Sequence, residues 1–175
     1  PRLVRVKPPH WDLPRDELAA AFSERTKLVL LNSPMNPAGE VFKRDELLAI
    51  AELALAHDCY VICDEAYEHL VFDGLEHLPL ITLPGMRDRA LKIGSAGKTF
   101  AMTGWKVGYV TAAPEILATV ARAHQFLVFT TPPNLQRAVA YGLAKEDAYF
   151  ADLGGELAAK RDLMRDGLSR IGFEA

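Results

Sequence analysis

Two cysteines in 175 residues, Cys59 and Cys63, are too few for a disulfide framework, and their spacing of four fits no common zinc motif. They read as buried structural thiols of a reducing compartment, which makes the cytoplasm the expected location. No apolar run approaches the ~20 residues of a membrane helix, and the first residues do not resemble a signal peptide, so no membrane partner is expected. Charge of one sign is also missing. Twenty basic residues face 23 acidic ones, the net charge is −3, and no long block of either sign occurs. Nucleic acid is therefore excluded as an expected partner, and any anion site must be local. There is no internal repeat, low-complexity tract or linker. What remains is 50% hydrophobic and 25% charged, enough for the core of a soluble globular domain.

The apolar residues fall into strand-length runs and helical stripes. Pro14 to Phe22, with Leu18, Ala21 and Phe22 on one side and Asp16-Glu17 in the first turn, predicts a short amphipathic helix. Leu28-Val29-Leu30-Leu31 is apolar on both faces and predicts an inner strand of a sheet covered on both sides. It ends in Asn32-Ser33-Pro34-Met35-Asn36-Pro37-Ala38-Gly39, where prolines and glycine forbid regular structure. Leu47, Ile50, Ala51 and Ala54 predict a helix from Arg44 to His57, and Tyr60-Val61-Ile62-Cys63 the next strand, giving a parallel crossover. That strand runs into Asp64-Glu65-Ala66-Tyr67. A third, Ala90-Leu91-Lys92-Ile93, runs into Gly94-Ser95-Ala96-Gly97-Lys98. Three strands thus bring three polar clusters to one edge, where open α/β sheets bind ligands. Gly108 to Ala112 predicts a fourth strand, antiparallel because too little chain precedes it for a crossover helix. Pro114 opens a helix with Ile116, Leu117, Val120 and Ala121 inward. Another helix is expected from Asn134 to Ala144, and a last one from Asp147 to Ile171, with a kink or break at Gly154-Gly155.

Lys98 is the residue with the clearest chemistry. Packed among small and apolar neighbours it would lose hydration, which favours the neutral amine as nucleophile or base. Ser95 and Lys106 are placed to hold an anion beside it. Two rival motifs fail. A phosphate-binding loop ending in Gly97-Lys98-Thr99 needs glycine where Lys92 stands, and the acidic strand it would need comes before it instead of after. Ser95-Ala96-Gly97-Lys98 fits Ser-x-x-Lys, yet the companion elements of the penicillin-binding enzymes are absent.

Taken together, Asn36-Pro37-Ala38-Gly39, Asp64-Glu65-Ala66-Tyr67, Ser95-Ala96-Gly97-Lys98 and Gly104-Trp105-Lys106-Val107-Gly108 resemble the class I aminotransferases, pyridoxal-phosphate enzymes of fold type I. The order and spacing support this: 28 residues separate Asn36 from Asp64 and 34 separate Asp64 from Lys98. Gly97-Lys98-Thr99-Phe100 and His124-Gln125-Phe126 are similar to the branch of kynurenine, glutamine-phenylpyruvate and methionine aminotransferases. The resemblance implies an α/β fold, a mainly parallel sheet flanked by helices. Residues 1–146 would form part of the large cofactor-binding domain. Residues 147–175 would be the connecting helix and start of a smaller α+β C-terminal domain.

The resemblance also implies roles. Lys98 would bind the pyridoxal 5′-phosphate aldehyde, Asp64 would face the pyridine nitrogen, Asn36 and Tyr67 the ring oxygen, and Ser95 and Lys106 the phosphate. Phe129 would line the partner's site in a homodimer, and no metal is expected. Many relatives carry arginine where Lys106 stands, so a fork becomes a point charge, and Ala38 replaces a common threonine. The ring-stacking aromatic, the glycine-rich phosphate loop and the arginine for the substrate carboxylate are expected outside these residues, in a longer chain. The implied activity is transamination between an amino acid with an apolar, aromatic or thioether side chain and a 2-oxo acid. A carbon-sulfur lyase on the same scaffold and a non-catalytic, effector-sensing regulatory domain are the alternatives.

Overall fold

The computed structural model describes residues 1–173. Four strands, β1 (Leu28–Asn32), β2 (Tyr60–Asp64), β3 (Ala90–Ser95) and β4 (Gly108–Thr111), form one sheet in the order β1-β2-β3-β4. The pairs β1/β2 and β2/β3 are parallel, and β3/β4 is antiparallel. The short link after β3 leaves no room for a crossover, as its length predicts. Each of the first three strands runs at least one residue further than its apolar run, so Asn32, Asp64 and Ser95 are strand residues and not the beginnings of loops.

Helix α1 (Arg15–Ala21) and helix α2 (Arg44–Ala56) pack on one face of this sheet. The inward stripe of α2, Leu47, Ile50, Ala51 and Ala54, meets Leu31, Val61, Cys63 and Ala90 from the strands, with Leu80, Leu83 and Met86 closing the far side. Acidic residues at the front of α2 suit its N-terminus. One of them, Glu46, is buried yet satisfied: its carboxylate accepts the backbone N–H groups of Lys43 and Leu13, each at 2.8 Å. Both cysteines are free and buried in this core. Burial, and then the nearby Glu65 carboxylate, push the Cys63 thiol up to about 12.

The opposite face of the sheet departs from the expectation of cover on both sides. Leu28, Leu30, Tyr60 and Val110 lie on it, and Leu30 is 74% exposed. The strands are apolar on both faces as read, but on this face cover is partial: Leu91 is buried and Ile62 and Ile93 are half-buried, while Leu28, Leu30, Tyr60 and Val110 stay exposed.

Four further helices follow β3. The single turn α3 (Ala96–Thr99) leads to β4, then come α4 (Pro114–Leu127), α5 (Pro133–Leu143) and α6 (Asp147–Arg170). Val139 and Leu135 of α5 pack with Ala96, Phe100, Val107 and Tyr109 in a second, smaller cluster. The inner stripe expected for α4 is only partly realised, since Ile116, Leu117 and Val120 are half-buried and Ala121 is exposed. No break occurs at Gly154-Gly155, and α6 is continuous over 24 residues. Gly154 is its buried position: a Cβ there would meet the carbonyl oxygens of His69 and Val71 at 3.6 and 3.8 Å, ordinary contact distances, so the helix runs through the glycine pair without a break and without a contact that only glycine allows. The helix is held further by Phe150 stacked on His69 and by a two-point ion pair from Arg161 to Asp73, at 2.7 and 2.9 Å.

Continuity of α6 has a measurable consequence. A Cβ at Gly155 would meet nothing within 4 Å. Gly155→Ala in the full-length protein should therefore raise stability by up to about 1 kcal/mol in a urea melt, as alanine replaces glycine inside a helix. Ile50→Ala should lower it by about 2–5 kcal/mol. A loss of stability in Gly155→Ala would contradict a continuous helix at that point.

Candidate active site

The register of the sheet sets the geometry. Asn32 stands opposite Asp64, and Asp64 opposite Ile93, so Asn32 and Asp64 share a level and a face, with Ser95 two residues further along the same face of β3. Polar residues at three neighbouring carboxyl ends form the edge on which the remaining groups assemble.

Asn32 organises the first loop. Its amide donates to the carbonyl oxygens of Asp64 at 3.0 Å and Pro34 at 3.2 Å, and its Oδ1 accepts the Asn36 backbone N–H at 2.8 Å. The loop is closed by Met35 N–H to Glu40 O and Gly39 N–H to Met35 O, both 2.7 Å, and Gly39 has a φ of +76° that favours glycine. These bonds present Asn36 outward, where its amide donates to the Tyr67 hydroxyl at 3.3 Å. Asn32 has no role in the sequence reading beyond membership of the loop. The available signal was an asparagine at a strand end before Ser-Pro, a side chain suited to bonding the local backbone.

Tyr67 belongs to the turn that follows β2. Asp64 Oδ1 accepts the Ala66 N–H at 3.2 Å, and Glu68 N–H donates to Glu65 O at 3.0 Å. The hydroxyl of Tyr67 accepts from Asn36, and its own proton has no acceptor among the described residues.

Lys98 is carried by α3, whose Gly97 allows a close approach. A Cβ at Gly97 would lie 3.0 Å from the Thr103 Cα, and the Thr103 hydroxyl donates to Gly97 O at 2.9 Å. This contact fixes the turn that aims Lys98, whose Nζ lies 5.8 Å from the centre of the Tyr67 ring. The expectation of a dehydrated Lys98 is not met by these residues. Ala96, Gly97 and Thr99 are buried, but Lys98 itself is exposed, because its own turn packs inward by the small residues and leaves the long side chain outside.

Of the other expected residues, Ser95 ends β3 with its hydroxyl making no hydrogen bond among the described residues. Lys106 is exposed, in a left-handed conformation at φ +55°. Its backbone is brought beside the Lys98 turn because Gly97 N–H donates to Val107 O at 3.4 Å. Neither Lys98, Lys106 nor Asp64 takes part in a salt bridge among the described residues. Phe129 is not brought to this edge; it is 75% exposed on the loop between α4 and α5 and belongs to neither apolar cluster. A cavity of about 590 Å³ opens beside the Asn36–Tyr67 pair, with Met35, Leu70, Phe72 and Arg161 among its walls.

Asn32→Ala removes three hydrogen bonds and frees the loop that holds Asn36. In the full-length protein it should lower unfolding free energy by about 1–3 kcal/mol, measured by urea denaturation, from the partners left unsatisfied. An unchanged midpoint would remove Asn32 from its organising position.

The family model "Aminotransferase class I and II" matches residues 2–175. A kynurenine–oxoglutarate transaminase of Dictyostelium discoideum is 43% identical over 169 residues, covering 94% of this chain and 39% of that protein. The structure of the N-succinyldiaminopimelate aminotransferase of Mycobacterium tuberculosis superposes with a TM-score of 0.88 at 46% identity, over 92% of this chain and 42% of that one. Escherichia coli YbdL, identified as having a methionine aminotransferase function, gives a TM-score of 0.88 at 38% identity, over 94% of this chain and 43% of that one. The chain thus spans about two fifths of the length of these relatives. The match over nearly every residue, together with a mostly parallel sheet and its polar edge, shows that the chain belongs to the class I and II aminotransferase family.

Proposed function

We propose that the full-length protein is a pyridoxal-phosphate-dependent aminotransferase, moving an amino group between an amino acid and a 2-oxo acid. The observation that carries this reading is the placement of Lys98 Nζ 5.8 Å from the ring of Tyr67, whose hydroxyl Asn36 bonds, in the turn that follows Asp64, with neither Lys98 nor Asp64 in a salt bridge among the described residues. Residues 1–146 are read as part of the large domain. The long α6 supports the reading of residues 147–175 as the connecting helix and start of the small domain.

The groups of the cofactor fit the donors present. An amine suits the aldehyde, a carboxylate the pyridine nitrogen, a phenol proton with no acceptor among the described residues the ring oxygen, and a hydroxyl with an ammonium the phosphate. When bound, pyridoxal phosphate supplies a ring that accepts the electron pair released at the substrate Cα. The remaining steps fall to this chain's side chains. Asp64 would hold a proton on the pyridine nitrogen, because a carboxylate facing that nitrogen would favour its charged form. Tyr67 and Asn36 stabilise negative charge on the ring oxygen by donating to it. Lys98 would bind the aldehyde through its amine and, as a base, would move the proton from the substrate Cα to the cofactor's C4′. Ser95 and Lys106 hold the phosphate, Lys106 as a point charge that fixes the angle less firmly than an arginine fork.

The substrate reading is an amino acid with a large apolar, aromatic or thioether side chain. Burying a methionine or phenylalanine side chain yields ~2 kcal/mol of discrimination, and an unpaired second carboxylate would lose hydration without return. No arginine occurs between Phe126 and Pro133 to meet such a carboxylate. The names of the kynurenine and methionine relatives support this range. The homodimer is likewise a proposal, supported by the exposed run Phe126, Leu127, Val128 and Phe129, with Phe129 placed in the partner's site.

The test is product analysis with the full-length, cofactor-loaded protein. Methionine and a 2-oxo acid should give a new 2-oxo acid and a new amino acid in equal amounts. Pyruvate and ammonia from a cysteine conjugate, with no new amino acid, would instead establish the lyase reading. Asp64→Asn should retain the bound cofactor and lower kcat by about 10²–10⁴-fold, the scale of one lost charge-stabilising group. Aspartate as the best donor, by kcat/KM against methionine, phenylalanine and kynurenine, would overturn the substrate reading.

A further inference from the structure

Alternation along the chain continues past the end of β2. Asp64 lies on the open face with the candidate site; Glu65, the next residue, turns to the core face and is 2% exposed. Behind the site it meets a group of polar side chains drawn from four segments. His77 Nε2 is 2.8 Å from Glu65 Oε2, and Lys92 Nζ is 3.9 Å from the same oxygen. Lys92 also pairs with Glu68, and the Tyr109 hydroxyl donates to the other Glu68 oxygen at 3.0 Å. His69 Nε2 stands 4.0 Å from that oxygen, on a ring whose pKa burial lowers. Glu65, Glu68 and His77 offer three ligand atoms within 4.8 Å of one another, but Lys92 already supplies the positive charge between the two carboxylates.

Core stability does not call for this assembly. Burying several charged groups against one another gains little over apolar residues of similar volume. Its construction is nonetheless specific. Tyr109 stands opposite Gly94 in the β3/β4 ladder, and a Cβ at Gly94 would lie 2.2 to 2.6 Å from the Tyr109 ring and hydroxyl. Only glycine lets the phenol cross β3 to reach Glu68. Burial, followed by the Glu68 carboxylate, pushes the Tyr109 phenol up, so it stays a donor.

The placement relates the group to the site. Glu65 and Glu68 close one turn, and that turn contains Tyr67 and follows Asp64 directly. Lys92 lies on β3, the strand that delivers Lys98. We propose that Glu65 and Glu68, tied to β3 and β4 through Lys92 and Tyr109 and to the following loop through His77, are positioning residues that hold the Asp64–Tyr67 turn at its working distance from Lys98. They touch neither substrate nor cofactor. The inference rests on the reading of Lys98, Asp64 and Tyr67 given above.

The experiment uses the full-length, cofactor-loaded protein with Tyr109→Phe and Glu68→Gln. Tyr109→Phe deletes one hydroxyl and leaves the ring over Gly94, so it decides the matter alone if Glu68→Gln does not fold. The expected result is a fall in kcat of about tenfold with KM for the amino donor within about twofold, the pattern of a small misplacement of reacting groups. The pH midpoint of the visible cofactor band should rise, because a displaced Tyr67 donates less well to the ring oxygen. In the double variant the losses should be less than additive, as for members of one network. Unchanged kcat and unchanged band midpoint in Tyr109→Phe would overturn the inference whatever the melting temperature, and leave the network as packing alone. A parent protein with no visible band would sink the reading of Lys98 first, which distinguishes the two failures.

Discussion

Parallel pairing of β1, β2 and β3 is the constraint on which the rest depends. It aligns Asn32, Asp64 and Ser95 at one edge, and the two-residue period of a strand decides which neighbours face the site and which face the core. Asp64 and Glu65 illustrate it: adjacent in sequence, they fall on opposite faces, one on the reacting side and one in the polar group behind it. A one-residue slip of β2 would exchange them. Register is held by the apolar residues of the core face, Val61 and Cys63 on β2 among them, which connects the packing under α2 directly to the chemistry at the strand ends.

Much of this was legible in the residues. Three strands could be found because their apolar runs are of strand length and end in polar clusters, and the antiparallel direction of the fourth followed from a link too short for a helix. The family was readable from motifs that are each modest, because their order and spacing leave few alternatives. What escaped is of another kind. A continuous α6 is hidden in the sequence because a glycine pair is a common helix breaker, and only the helix itself, unbroken from Asp147 to Arg170, shows that this pair is not one. Lys98 was expected to be dehydrated from the smallness of its neighbours. Small neighbours pack the turn instead, and the lysine stays outside.

The polar group around Glu65, Glu68, His77, Lys92 and Tyr109 could not be read from sequence, since its members are spread from residue 65 to residue 109 and no local pattern joins them. Its nearest signal is the Gly94–Tyr109 pair, which becomes meaningful only when the β3/β4 register is known. The organising role of Asn32 was missed for a related reason: its partners, Pro34, Asn36 and Asp64, include one from the neighbouring strand. The apolar second face of the sheet was legible as apolar, and among the described residues it is covered only in part, with Leu91 buried and Leu30 exposed.

The account stands on Lys98 being the residue that binds the cofactor covalently. Borohydride reduction of the full-length, cofactor-loaded protein followed by peptide mapping measures this directly. The account predicts a single adduct on Lys98, lost together with the visible absorption band in Lys98→Ala. An adduct on Lys92 or Lys106, with Lys98 unmodified, would contradict it.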